Sequence, residues 1–151
     1  MMSPATPRYV LDTNVCLDVF VFGDPQCASL LQAVRAREIE LVTREDCYAE
    51  WLAVLTYRRL ALTDEQRALA VEAFDRWVHR QPPDAPVPDI ALPRCRDRDD
   101  QKFLELAQQA GAVALLTRDE ALLRLARRTK REGLFLILPP ALWQEAISGP
   151  R

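Results

Sequence analysis

The chain reads as an α/β protein with a central parallel sheet covered by helices on both faces. Three observations predict this. Short apolar runs alternate with helix-like stretches along the chain. Those runs are apolar throughout, whereas a strand with one wet face would alternate polar and apolar residues. The 151 residues suit a single domain, and a domain of this size buries roughly 70% of its unfolded surface without help from disulfides or metals.

Residues 8–12, Arg-Tyr-Val-Leu-Asp, form the first β-prone run and end in an acid. Asn14 is placed to cap the helix that follows, and the apolar stretch from Val15 to Phe22 stops at Gly23-Asp24-Pro25. A second helix fits 25–36, with Ala28, Leu31 and Val34 near helical spacing. Ile39 to Thr43 reads as a strand. Helix 44–58 follows, with Cys47, Trp51, Val54 and Leu55 on one face. Thr63-Asp64-Glu65-Gln66 has the pattern of a capping box and opens a helix running to about residue 80. Gln81 to Pro93 holds five prolines and reads as an extended connection or a frayed edge strand inside the domain. Helix 98–110 ends at Gly111. Ala112–Thr117 and Leu134–Leu138 are buried strands, with a helix over 119–131 between them and a last helix over 141–147. The strands so read begin at Arg8, Ile39, Ala112 and Leu134.

Composition removes whole chemistries. His79 is the one histidine, so neither a multi-histidine metal site nor a histidine-based triad with a second imidazole is available. Cys16, Cys27, Cys47 and Cys95 are scattered with no CxxC pair, which argues against structural zinc. No basic segment followed by an apolar stretch opens the chain, and no apolar run approaches ~18 residues. The expectation is a cytoplasmic protein with reduced, buried thiols. Carboxylate and arginine remain in quantity, and of the 20 basic residues only Lys102 and Lys130 are lysine.

The acids fall where an α/β sheet would gather them. Ligands of an open parallel sheet bind outside the carboxyl ends of its strands. Asp12 ends the first strand and Asp119 follows the Ala112–Thr117 strand. Asp97, Asp99 and Asp100 open helix 98–110. Glu50 lies two turns into the helix leaving the Ile39 strand. Each acid also has a purely structural explanation, as a helix cap or a solvated helical residue. Together they predict one anionic rim, for which a divalent cation is the usual remedy. Carboxylate ligands without imidazole or thiolate point to Mg²⁺ or Mn²⁺.

Leu11-Asp12-Thr13-Asn14, then Glu50, then Cys95-Arg96-Asp97-Arg98-Asp99-Asp100-Gln101-Lys102-Phe103-Leu104, then Leu116-Thr117-Arg118-Asp119 resemble the PIN domain. More narrowly, they resemble the toxin components of bacterial toxin–antitoxin systems. The resemblance spans about residues 8–142. It implies a three-layer α/β/α sandwich with strand order 3-2-1-4-5, and a Mg²⁺- or Mn²⁺-dependent ribonuclease. By motif, Asp12, Glu50, Asp100 and Asp119 become the acidic quartet, with Asp97 an additional acid that assists or replaces Asp100. Thr13, Asn14 and Thr117 match small polar positions that orient the acids or a water. Asp12 with Asp100 or Asp97 would then hold one metal directly, while Glu50 and Asp119 hold a second ion or its waters. A cognate antitoxin and a homodimer are the partners that the resemblance implies.

RNA would meet arginines. Arg124, Arg127, Arg128 and Arg131 fall on one face of helix 119–131, and Arg94, Arg96 and Arg98 flank the Asp97 cluster. A solvated helical face explains the first group equally. Trp51, Trp77 and Trp143 sit on apolar helix faces and read as core residues, and His79 reads as a surface or helix-end residue. Two rivals remain. A haloacid-dehalogenase-like phosphatase would need a second Asp where this chain has Asn14. A non-catalytic PIN-like protein-binding module would have lost acids that are present here.

Overall fold

A computed structural model describes residues 5–148. Its sheet has five parallel strands in the order β3-β2-β1-β4-β5, as expected. The strands are β1 (Arg8–Leu11), β2 (Glu40–Thr43), β3 (Val78–Arg80), β4 (Ala114–Leu116) and β5 (Leu136–Leu138). On the β1 side of the switch point run α1 (Thr13–Leu17), α2 (Ala28–Arg35), α3 (Glu45–Val54) and α4 (Asp64–Trp77). Then come α5 (Gln101–Ala110), α6 (Glu120–Leu123), α7 (Ala126–Arg131) and α8 (Glu145–Ser148). None of the described helices is long and apolar enough to cross a membrane.

Alternation along the strands builds the three layers, because successive side chains point to opposite faces. Tyr9, Leu11, Leu41, Ala114 and Leu116 pack with Val15, Leu30, Trp51, Phe74 and Trp143 on one side. Val10, Val42, Leu115 and Ile137 pack with Phe103, Leu104, Leu106 and Leu122 on the other. Both faces are dry, which is why these strands are apolar throughout. Trp51 and Trp143 are core residues, and Trp51 stacks on Phe74 with ring centroids 5.0 Å apart. All four cysteines are buried free thiols.

The register sets the rim. Leu11 lies opposite Leu116, so β1 and β4 end level. The next residues, Asp12 and Thr117, leave the sheet together, with the Asp12 N–H donating to the Leu116 carbonyl at 3.2 Å. Helix α5 is held in place by its buried stripe of Phe103, Leu104, Leu106, Ala107 and Ala110. It stops at Gly111, whose φ of 64° is left-handed. Three α5 glutamines pin the proline-rich segment through Gln101 to the Pro93 carbonyl (3.1 Å), Gln108 to Ile90 (2.6 Å) and Gln109 to Ala85 (3.0 Å). A segment without ladder bonds of its own is thus fastened by side chains.

Three local expectations change. The helix expected to reach residue 80 ends at Trp77, and Val78–Arg80 turn extended to pair with β2, Val42 opposite His79. The capping box at Thr63 forms as expected. Its far end is decided by the open edge of β2, a tertiary partner that outweighs helical continuation. His79 is therefore an exposed strand residue. The helix expected over 119–131 breaks at Arg124–Leu125 into α6 and α7, where the Leu125 N–H closes a tighter bond to Leu122 at 3.0 Å. No glycine or proline marks that break. Asp12, not Asn14, caps α1.

The buried Tyr9 hydroxyl donates to the Trp143 carbonyl at 2.7 Å and ties β1 to the C-terminal segment. Burial pushes its pKa up to about 12. Tyr9→Phe leaves that carbonyl with only the longer bond from the Ala146 N–H, at 3.3 Å, and should cost about 1 kcal/mol, read as a lower urea midpoint with an unchanged m-value.

Candidate active site at the carboxyl rim

Asp12 is 4% exposed at the end of the central strand. Its Oδ1 accepts the Val15 N–H at 2.9 Å, and its Oδ2 accepts the Thr117 hydroxyl. The first bond caps α1 and the second crosses from β1 to the end of β4. Burial pushes the Asp12 carboxyl up to about 6 against the pull of those two donors, and the charges of Asp119 and Asp18 add to the rise.

Thr117 relays the arrangement. Its Oγ1 accepts the Asp119 N–H at 2.9 Å. Asp119 in turn caps α6, its Oδ1 accepting from Ala121 (2.8 Å) and Leu122 (3.3 Å). Its other oxygen accepts no hydrogen bond from the described residues. Asp97 is a cap too, its Oδ1 accepting the Asp99 N–H at 3.0 Å and starting the turn Arg98–Asp100. Capping and function do not compete at these residues, because one carboxylate oxygen serves each role.

Asp100 is different. It is half-buried, and its side chain accepts no hydrogen bond and forms no ion pair among the described residues. Burial first, then the charges of Asp119, Asp97, Asp12 and Glu50, push its carboxyl up to about 6. That list is also a map, since the acids from four separate segments act on one another across one rim. Among the described residues, no three His, Cys, Asp or Glu side chains form a group that could hold a metal ion as they stand.

Glu50, on α3, bonds residues from two other segments. One of its oxygens accepts the Thr13 hydroxyl, and the other pairs with the Lys102 ammonium at 2.9 Å. Burial alone would lower the Lys102 pKa, but Glu50 outweighs it and raises it overall. The Asn14 and Asp99 side chains are exposed and stand outside these contacts, while the Asp99 backbone takes part, its N–H donating to Asp97 and its carbonyl accepting from Lys102.

Sequence reasoning missed two residues that organise the rim. Lys102 was marked only by being one of two lysines among 20 basic residues. Arg118, the middle residue of Thr-Arg-Asp, pairs with Asp18 and with Asp24 at 3.3 Å and reaches Gln26 at 3.1 Å. It straps the β4–α6 connection to the segment after α1. No local pattern announces partners about a hundred residues away.

The arginines divide. Arg94, Arg96 and Arg98 are exposed in the segment leading to Asp100. Arg124, Arg127, Arg128 and Arg131 are exposed as well, but Arg128 pairs with Glu132 at 2.8 Å and Arg124 approaches Glu120 at 3.9 Å. A concavity of about 910 Å³ runs between α3 and α4 past Leu52, Leu55, Ala68 and Val71 and contains none of the rim acids.

A raised carboxyl pKa is a cost at neutral pH. The folded chain holds the Asp100 proton more tightly than the unfolded chain, so its contribution is fully present below pH ~4. It is lost as pH rises through about 6. Asp100→Asn should therefore stabilise the metal-free protein by about 1 kcal/mol at pH 7.5 and by little at pH 4. Thermal melts of both proteins across that range, in chelator, check it.

A profile of the PIN domain family matches residues 8–121. No curated protein matches the chain. Among solved structures, the fold is similar to VapBC2 from Rickettsia felis bound to a DNA fragment from their promoter. The TM-score is 0.54 at 13% identity, over 86% of this chain and 96% of that one. At that identity the likeness is one of fold. The profile runs from β1 into α6 and takes in Asp12, Glu50, Asp97, Asp100 and Asp119, and the chain belongs to the PIN domain family.

Proposed function

We propose that this chain is a metal-dependent endoribonuclease, hydrolysing RNA phosphodiester bonds as the toxin of a type II toxin–antitoxin module in the cytoplasm. The observation that carries the reading is Asp100. It is a half-buried carboxylate without a hydrogen bond or counter-ion among the described residues, facing Asp119, Asp97, Asp12 and Glu50. Repulsion of that kind is relieved by a cation. The VapBC2 complex, whose fold this chain shares, supports the toxin side of the reading. A cognate antitoxin is the partner proposed with it, and a homodimer the assembly.

The donor set fits a hard divalent ion, Mg²⁺ or Mn²⁺. It is all carboxylate oxygen, the ligand type of a hard ion that keeps several waters. Asp12 and Asp100 would hold it, with Asp119 and Asp97 reaching it directly or through water. Bound there, the ion would make a water more acidic and neutralise charge on a phosphodiester. The chain's own residues do the rest. Val15 and Thr117 fix the Asp12 carboxylate in one orientation. Thr117 also fixes the backbone of Asp119, and Thr13 and Lys102 fix Glu50. Arg96 and Arg98, exposed beside Asp97, are placed to meet backbone phosphates before Arg124, Arg127, Arg128 and Arg131 extend the contact.

Purified protein should cleave RNA with Mg²⁺ and lose cleavage in chelator. Asp12→Asn should lower the rate at least about a hundredfold while keeping the circular dichroism spectrum and the melt. Full metal-dependent cleavage by that variant would overturn the assignment, and an active wild type without metal would overturn the metal. Separately, Arg96→Glu with Arg98→Glu should weaken RNA binding and flatten its dependence on salt, measured by fluorescence anisotropy.

A further inference from the structure

We infer that Lys102 stands in for a second divalent cation, so that the rim holds one such ion per chain. The inference rests on the metal-dependent reading above and concerns how many ions that rim accepts.

The rim is split in its electrostatics. Both oxygens of Glu50 are already engaged, one by the Lys102 ammonium at 2.9 Å and the other by the Thr13 hydroxyl. Elsewhere on the rim, the Asp100 side chain accepts nothing from the described residues and Asp119 has one oxygen to spare. A cation arriving there meets open carboxylates, whereas one arriving at Glu50 must first displace a positive charge of the chain itself. That charge is not loosely held. The Lys102 side chain is 16% exposed and also donates to the Asp99 carbonyl. Its ammonium lies 5.0 Å from the centre of the buried Phe103 ring. Lys102 is the second residue of α5, and its neighbours Phe103 and Leu104 lock the register of that helix.

The residue type fits the task. The basic residues of this chain are otherwise almost all arginine. An ammonium is a compact point charge, while a guanidinium spreads its donors over a planar fork. A compact charge at one carboxylate is the closest a side chain comes to a metal ion. Lys102 is thus a positioning residue. It holds Glu50 and supplies positive charge at the edge of the metal site without touching the ion.

Mn²⁺ titration of the full chain, by calorimetry and by the electron paramagnetic resonance of free Mn²⁺, tests this. Wild type should bind one ion per chain, weakened at least roughly tenfold by Asp100→Asn. Lys102→Met should bind two, and adding Glu50→Gln to it should return the count to one. Lys102→Arg, which keeps a cation, should bind one. Melts establish that each variant folds. Should Lys102→Met not fold, Lys102→Gln takes its place, and Glu50→Gln alone, which should also bind one ion, gives a further reading. Two ions on wild type, or one ion on a folded Lys102→Met or Lys102→Gln, overturn the role of Lys102 and leave the metal-dependent reading standing. No Mn²⁺ on wild type overturns both.

Discussion

A carboxylate buried at the end of the central strand is the constraint around which the rest is arranged. Taking Asp12 almost wholly out of water is costly unless its oxygens find donors. They find two, the Val15 N–H at the start of α1 and the Thr117 hydroxyl at the end of β4. The first is local to the helix start, and the second exists only because β1 and β4 are parallel neighbours that end level. The strand order is therefore more than a frame. Were another strand beside β1, Asp12 would lose the hydroxyl and Asp119 would lose its relay through Thr117.

From that anchor the rim follows by one repeated device. Asp12, Asp97 and Asp119 each begin a helical segment, giving an oxygen to backbone N–H groups. Helix starts favour anionic side chains, so local structure itself draws acids to the carboxyl edge. The acids then repel one another. Two cations of the chain answer at the flanks, Lys102 on Glu50 and Arg118 on Asp18 and Asp24. The centre, at Asp100, is left without one among the described residues.

Much of this was legible in the residues. Apolar runs without alternation announced a parallel sheet with two covered faces, and four of the five strands lie where those runs do. Gly111 ends α5 as a left-handed cap, and the Thr63 capping box forms. The PIN-like motifs named the acids, and among them Glu50 pairs with Lys102. Strand β3 was not legible. Val78–Arg80 is three residues long, follows directly on a helix and pairs only because the edge of β2 is open.

The sequence by itself determined the layers, the helix starts and the inventory of acids, because these depend on patterns of a few residues: polarity, capping and spacing. Tertiary structure alone decided which charges meet. Lys102 finds Glu50 across 52 positions, Thr117 finds Asp12 across 105 and Arg118 finds Asp18 across 100. Short-range patterns carry no information about such pairs. They arise when parallel pairing brings distant strand ends level and so brings the polar groups that follow them within reach of one another.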